Sequence, residues 1–198
     1  DTAVTSASVC LSYKNDCVAF SSNEASRESA AWLHTAIQQL MQQQNMQLHQ
    51  IDAVAISAGP GSYTGLRVGM AAAKGICYAL KKPLITINTL QMMAVAGLEQ
   101  MGEADWLCPM IDARRMEVFT AVFDKSLNEI VKTAAFILSP DSFVEELDQK
   151  RILFFGNGSN KFAALQQHPN AAFQTVAARA KHLPVLAFGK LIQNNFSD

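Results

Sequence analysis

The chain has 198 residues, 49% of them hydrophobic, and its 16 basic and 17 acidic residues give a net charge of −1. This length is enough to bury one core or two smaller ones, and the balanced charge argues against direct electrostatic binding of RNA. The sequence has no apolar run near the roughly 20 residues that a membrane span needs, so we expect a cytoplasmic protein that does not contact a membrane.

The first half of the chain alternates strand-like and helix-like patterns. An early pair of strands is joined by a tight turn at residues 14–16, which predicts a hairpin. A strand, a helix and a second strand then form a βαβ unit. The elements predicted for this half are strands over 7–11, 17–21, 51–57 and 84–88 and helices over 27–44, 64–80 and 90–100.

The second half opens with three strands that read as a meander, and helices and strands alternate after it. Its predicted elements are strands over 107–112, 117–123, 129–138, 152–155 and 172–176 and helices over 141–149, 160–168 and 183–194. Two similar α/β halves in tandem predict a two-lobed α/β fold, with an N-terminal lobe over 1–100 and a C-terminal lobe over 101–198.

A glycine-rich turn at residues 58–65 lies between a predicted strand and the helix that follows it. Gly59 and Gly61 permit a tight backbone turn, and either Ser62 or Thr64 can cap the helix. The glycine spacing matches neither the dinucleotide fingerprint nor a P-loop. The turn therefore has two interpretations, which the residues leave open: phosphate binding at the helix N-terminus, or close packing.

The helix after this turn carries a stripe of small residues. Gly65, Gly69 and Ala73 recur every four residues and share one face, with Ile76 beside them. Glycine is unfavourable inside a helix, so the stripe indicates a close contact with another backbone. We expect an association surface there, in which a four-helix bundle also includes apolar residues of the preceding helix, namely Leu33, Ile37 and Leu40.

Four segments in the right order give a family resemblance: Asp1-Thr-Ala at the start, the glycine turn with its helix, and residues 83–90 and 111–119. Together they resemble the TsaB (YeaZ) family of tRNA threonylcarbamoyladenosine (t6A) biosynthesis. The resemblance implies the two-lobed actin-like ATPase fold that sugar kinases and Hsp70 share. In that family a short apolar strand precedes this aspartate and an aromatic tail follows, so we expect a truncated chain.

The resemblance also implies a role and partners. Members act as a non-catalytic scaffold for TsaD, which transfers the threonylcarbamoyl group to adenosine in tRNA together with TsaE. The free protein is then expected to be a homodimer and to meet tRNA only through the complex. The alternatives are an actin-like ATPase or kinase, and a metallopeptidase of the glycoprotease-like family.

The candidate chemical residues favour the scaffold interpretation. Catalytic relatives hold a metal through two histidines four residues apart, and the positions aligned with them here are Thr89 and Met93, which are poor ligands. We therefore predict no catalytic residue, no metal site and no cofactor of the chain's own, and a nucleotide at an interface stays open. Candidates for that nucleotide are Asp1, next to an Ala3 that crowds a phosphate, and the turn glycines Gly156 and Gly158, which also suit a plain turn.

The four cysteines, Cys10, Cys17, Cys77 and Cys108, lack CxxC spacing and read as small buried hydrophobes in a reducing compartment. A polar cluster is expected near residues 112–117, formed by Asp112, Arg114, Arg115 and Glu117. It is either a solvated ion-pair network or a site of partner recognition.

Overall fold

The computed structural model describes residues 1–24 and 29–197. The chain divides into two compact units, one formed by Asp1–Met92 with Arg179–Asp198 and the other by Met93–Ala178. We refer to them as unit 1 and unit 2. The last segment returns to unit 1, whereas the sequence analysis placed it in a C-terminal lobe.

The elements of the first half follow the predicted order. They are strands β1 (Ala7–Tyr13), β2 (Asp16–Asn23), β3 (Val54–Ser57) and β4 (Leu84–Ile87), and helices α1 (Ser29–Gln43), α2 (Tyr63–Leu80) and α3 (Thr89–Leu98). The first helix was predicted to begin at residue 27, and that start lies outside the described residues.

The remaining elements also keep the predicted order, with shorter helices. They are strands β5 (Trp106–Asp112), β6 (Glu117–Phe123), β7 (Glu129–Ile137), β8 (Ile152–Phe155) and β9 (Ala171–Phe173), and helices α4 (Val144–Gln149), α5 (Ser159–Ala163) and α6 (Leu183–Ile192).

Unit 1 contains two small sheets. Strands β1 and β2 pair antiparallel, which confirms the hairpin, and β3 and β4 pair parallel on either side of α2, which confirms the βαβ unit. Helix α6 also belongs to this unit. Its Lys190 Nζ donates to Thr86 O of β4 at 2.8 Å. Ser197 N–H also donates to Leu84 O at 2.8 Å, so the end of the chain is bonded to β4.

Unit 2 is built on one five-stranded sheet in the order β7-β6-β5-β8-β9. The predicted meander β5-β6-β7 is confirmed as antiparallel, and β8 and β9 extend the sheet in parallel. Phe143, Phe154 and Phe162 meet in the core, with ring centroids 4.9 to 5.7 Å apart. Such aromatic contacts bury large areas and hold the short helices on the sheet.

Two helices of unit 2 are shorter than predicted. Helix α4 begins at Val144 because Phe143 before it has a left-handed backbone, with φ of 61°. Helix α5 ends at Ala163, well before the predicted residue 168. Pro169 disfavours helical angles at His168, whose N–H instead donates to Gln166 Oε1 at 2.8 Å.

Candidate functional site at the glycine turn

The glycine turn connects β3 to α2 in unit 1. Gly59 has φ of 120°, a conformation that favours glycine. Ser62 is the N-cap of α2, and its Oγ accepts a hydrogen bond from Gly65 N–H at 3.3 Å. The sequence allows either Ser62 or Thr64 as the N-cap of this helix, and Ser62 is the N-cap in the structure.

Thr89, at the start of α3, binds the turn from the other side. Gly59 N–H donates to Thr89 Oγ1 at 3.1 Å, and Thr89 N–H donates to Gly59 O at 2.8 Å. The Thr89 side chain is fully buried. Thr89, which the sequence shows only as a poor metal ligand, therefore has a structural role: it holds the glycine turn in place.

The segment Asp1-Thr2-Ala3 packs against the same turn. Ser62 N–H donates to Ala3 O at 2.8 Å, and Thr2 Oγ1 donates to Gly65 O at 2.7 Å. A Cβ added at Gly61 would collide with Ala3 O, and one added at Gly65 would collide with Thr2 O. These glycines are thus required for close backbone approach, which supports the packing interpretation over phosphate binding.

Asp1 is buried beside Ser57, the last residue of β3, with 6% of its surface exposed. Its Oδ1 accepts hydrogen bonds from Ala3 N–H, at 3.0 Å, and from the Ser57 hydroxyl, whereas Oδ2 has no hydrogen-bond partner among the described residues. A buried carboxylate oxygen fits a hydrogen-bond donor or a cation rather than a phosphate.

The backbone of Asp1 pairs with β1. Its backbone nitrogen donates to Ser8 O, and Ser8 N–H donates to Asp1 O, both at 2.8 Å. This exchange is the pattern of an antiparallel ladder.

The second candidate turn lies in unit 2, and residues of the same unit occupy the space beside its two glycines. A Cβ at Gly156 would collide with Met110 O and approach Met93 Cε to 2.7 Å, and one at Gly158 would approach Val118 Cγ1 to 2.8 Å. Gly158 N–H donates to Met110 O at 3.1 Å. The nucleotide role of these glycines stays a prediction, and their contacts are those of a turn packed on β5.

The polar cluster near β5 has a different composition from the predicted one. Lys161 Nζ lies 2.6 Å from Asp112 Oδ1, and Arg114 N–H donates to the same oxygen at 2.6 Å. Hydrogen bonds from Lys161 and from Arg114 N–H lower the pKa of Asp112. The charged partner of Asp112 is therefore Lys161 of α5, 49 residues further along the chain. A contact over this separation cannot be predicted from a local sequence pattern.

The small-residue stripe of α2 points into unit 1. Ala73 is buried with Ile56 and Leu84, and a Cβ at Gly69 would lie 3.0 Å from Ile56 Cδ1. With Gly65 against Thr2, the stripe contacts β3 and the N-terminal segment. These three residues therefore pack within unit 1, and their role in an association surface stays a prediction.

The other predicted interface residues are also turned inward. Leu33 and Leu40 are buried, and Ile37 and Ile76 are partly buried. These four, with Gly69 and Ala73, line an apolar groove of about 540 Å³ in unit 1, between α1, α2, β1, β3 and α6. The apolar character of these residues is visible in the sequence, whereas the groove depends on contacts between distant elements.

The opposite face of α2 is exposed and carries two tyrosines. Tyr63 is 73% and Tyr78 is 88% exposed. Arg67 lies over the Tyr63 ring at 5.5 Å from its centroid, and a Cβ at Gly75 would meet nothing within 4 Å. We call Tyr63, Arg67, Lys74, Gly75 and Tyr78 the outer face of α2, a set that sequence analysis missed.

In 1–24 and 29–197, no group of three or more histidine, cysteine or acidic residues is placed to hold a metal ion. No helix in the same ranges is long and apolar enough to cross a membrane.

The fold and the site define an α/β protein whose glycine turn is closely packed. A solved structure from Pseudomonas aeruginosa, described as an uncharacterized protein with similarity to peptidase YEAZ, shares the fold with a TM-score of 0.85. The two are 22% identical, and the alignment covers 100% of this chain and 92% of that one.

The family model described as TsaD: tRNA N6-adenosine threonylcarbamoyltransferase matches residues 20–187, and the chain belongs to this family. The tRNA threonylcarbamoyladenosine biosynthesis protein TsaB of Haemophilus influenzae is 27% identical over 92% of this chain and 84% of its own length. TsaB of Escherichia coli is 32% identical over 62% of this chain, which spans 54% of that relative. These matches confirm the predicted resemblance to TsaB (YeaZ).

Proposed function

We propose that this chain acts in t6A formation as a non-catalytic partner of TsaD, which transfers the threonylcarbamoyl group to adenosine in tRNA with the help of TsaE. Its family and its TsaB relatives support the role in tRNA modification. The observation that carries the non-catalytic part is the pair of hydrogen bonds between Thr89 and Gly59. Thr89 stands at the position expected to bind a metal in a catalytic relative, and here its side chain holds the glycine turn.

The rest of the proposal follows from charge and architecture. The chain adopts the two-lobed actin-like ATPase fold, works in the cytoplasm and uses no cofactor of its own. A net charge of −1 provides little attraction for phosphates, so tRNA is bound through the complex and not by this chain alone.

We assign the TsaD contact to the outer face of α2. Tyrosine and arginine are enriched at the centres of interfaces, and Tyr63, Arg67 and Tyr78 share this exposed face of the helix. The open space over Gly75 lets a second helix approach closely. When TsaD is absent, a second copy of the chain covers the same face, giving a homodimer with which TsaD competes.

The functional test is reconstitution with components left out. Purified chain, TsaD and TsaE are mixed with tRNA, ATP and the threonylcarbamoyl donor, and modified adenosine is measured. We expect no product without this chain, and no ATPase or peptidase turnover by the chain alone. Full modification in its absence would refute the proposed function. Turnover by the isolated chain that Asp1→Asn abolishes would favour an ATPase instead.

The surface is tested with Tyr78→Ala and a matched control, Tyr13→Ala, on the β1-β2 hairpin. Tyr13 is 67% exposed, so both changes remove an accessible tyrosine. A central interface tyrosine contributes about 2 kcal/mol or more, so Tyr78→Ala should weaken TsaD binding at least about 30-fold and Tyr13→Ala should not. Sedimentation of each variant, alone and with TsaD, gives both association constants. Equal binding by the two variants would place the interface elsewhere.

A further inference from the structure

Two cysteines face each other across the hairpin of unit 1. Cys10 lies on β1 and Cys17 on β2, and the Cys10 thiol donates to Cys17 Sγ at a distance of 2.8 Å. Neither residue takes part in the glycine turn or in the proposed TsaD contact. Both cysteines are free thiols in this structure.

An irregularity in the hairpin brings these sulfur atoms together. Leu11 pairs with Ala19, but Ser12 pairs with Cys17, so β2 has an extra residue at Val18. In a regular hairpin Cys17 would pair with Tyr13, and its side chain would lie on the opposite face of the sheet from Cys10. The bulge places Cys17 opposite Ser12 instead, and Ser12 shares a face with Cys10.

The two thiols differ in environment. Cys17 is exposed, whereas Cys10 is partly buried and lines the apolar groove. Burial and the hydrogen bond with Cys17 raise the pKa of Cys10, which keeps this thiol protonated. A reagent in solution therefore meets Cys17 first, and Cys10 is positioned to react second.

We propose that Cys10 and Cys17 form a redox-active pair, which closes reversibly to a disulfide by exchange with a small disulfide such as oxidised glutathione. The Cys17 thiolate attacks one sulfur of the reagent and releases one reduced thiol. The Cys10 sulfur then loses its proton to solvent and attacks Cys17 Sγ, which releases the second reduced thiol. The protein loses two electrons and two protons, and the reagent disulfide gains them as two thiols.

The product is a bond that ties β1 to β2 beside the groove. Other thiols of the chain serve as internal controls. Cys108 is fully buried and hydrogen-bonded with Thr120 at 3.2 Å, and Cys77, on α2, contacts Pro83 O at 3.5 Å. Oxidation of the folded protein should leave both of these as thiols.

The test is peptide mapping after exposure of the folded 198-residue protein to oxidised glutathione. Free thiols are blocked by alkylation, and the protein is then digested with trypsin. Lys14 lies between the two cysteines, so trypsin separates Cys10 from Cys17 unless a disulfide joins the two peptides. We expect the joined pair, lighter by about 2 Da than the sum of the two peptides, and its loss after reduction.

Two variants distinguish this pair from general thiol oxidation. In Cys10→Ser, Cys17 should accumulate as a stable glutathione adduct because no second thiol resolves it. In Cys17→Ser, Cys10 should react slowly and carry little adduct. Circular dichroism checks that both variants remain folded. A wild-type chain in which Cys17 stops at the glutathione adduct, or in which Cys77 and Cys108 are linked as readily, would overturn the proposal.

Discussion

Two glycines of α2 allow a sharp test of where this helix packs. Gly65 faces Thr2, and an added Cβ would collide with a backbone oxygen there, whereas Gly75 faces open space. We therefore compare Gly65→Ala with Gly75→Ala, the same chemical change on one helix. The first should lower the free energy of unfolding and the second should raise it.

The magnitudes follow from the contacts. At Gly75 only helix propensity changes, which favours alanine by up to about 1 kcal/mol. At Gly65 the N-terminal segment must move, which costs about 1 to 3 kcal/mol for overpacking. The same movement disturbs the hydrogen bonds from Thr2 Oγ1 to Gly65 O and from Ser62 N–H to Ala3 O, at about 1 kcal/mol each. We expect a net loss of about 2 to 4 kcal/mol for Gly65→Ala.

Urea unfolding followed by circular dichroism measures this difference. The slope of the transition should match that of the parent, so that the change in midpoint reports stability alone. The two variants should differ by about 3 kcal/mol or more, a large fraction of the stability of a typical domain. If Gly65→Ala proves as stable as Gly75→Ala, Gly65 does not pack on Thr2 and the stripe is free to meet another helix.

Two further changes test packing and charge. Leu40→Ala, at a buried position that lines the groove, should cost about 2 to 5 kcal/mol, whereas the same change at the exposed Leu98 should cost far less by thermal unfolding. Asp112→Asn removes the partner of Lys161 and should cost at most about 1 kcal/mol at neutral pH, a difference that shrinks as acid protonates the wild-type carboxylate.

Much of the secondary structure was predictable because it is encoded locally. The strand over 152–155 and the strand over 117–123 appear with the predicted bounds, since short apolar runs between turn residues admit few alternatives. The βαβ unit followed from two apolar strands on either side of an amphipathic helix. Errors gather at helix ends, as at α5, where Pro169 and the Gln166 side chain compete with the helix.

The inward direction of the glycine stripe could not be predicted, because its partners are distant in the sequence. Thr2 meets Gly65 across 63 positions, and Lys161 meets Asp112 across 49. A stripe of small residues shows that a backbone comes close, but not whether it belongs to the same chain or to another. Spacing alone therefore left an internal contact and an external interface equally consistent with the sequence.

The glycine turn also shows why a helix N-terminus need not bind phosphate. Each amide N–H provides a single donor, and those of Gly59, Ser62 and Gly65 already bind Thr89, Ala3 and the Ser62 hydroxyl. A phosphate that took the first two would leave the buried Thr89 hydroxyl and the Ala3 carbonyl without these partners, at about 1 to 3 kcal/mol each. The balanced charge of the chain offers little to offset that cost. This is the physical reason to assign the turn to packing and not to phosphate binding.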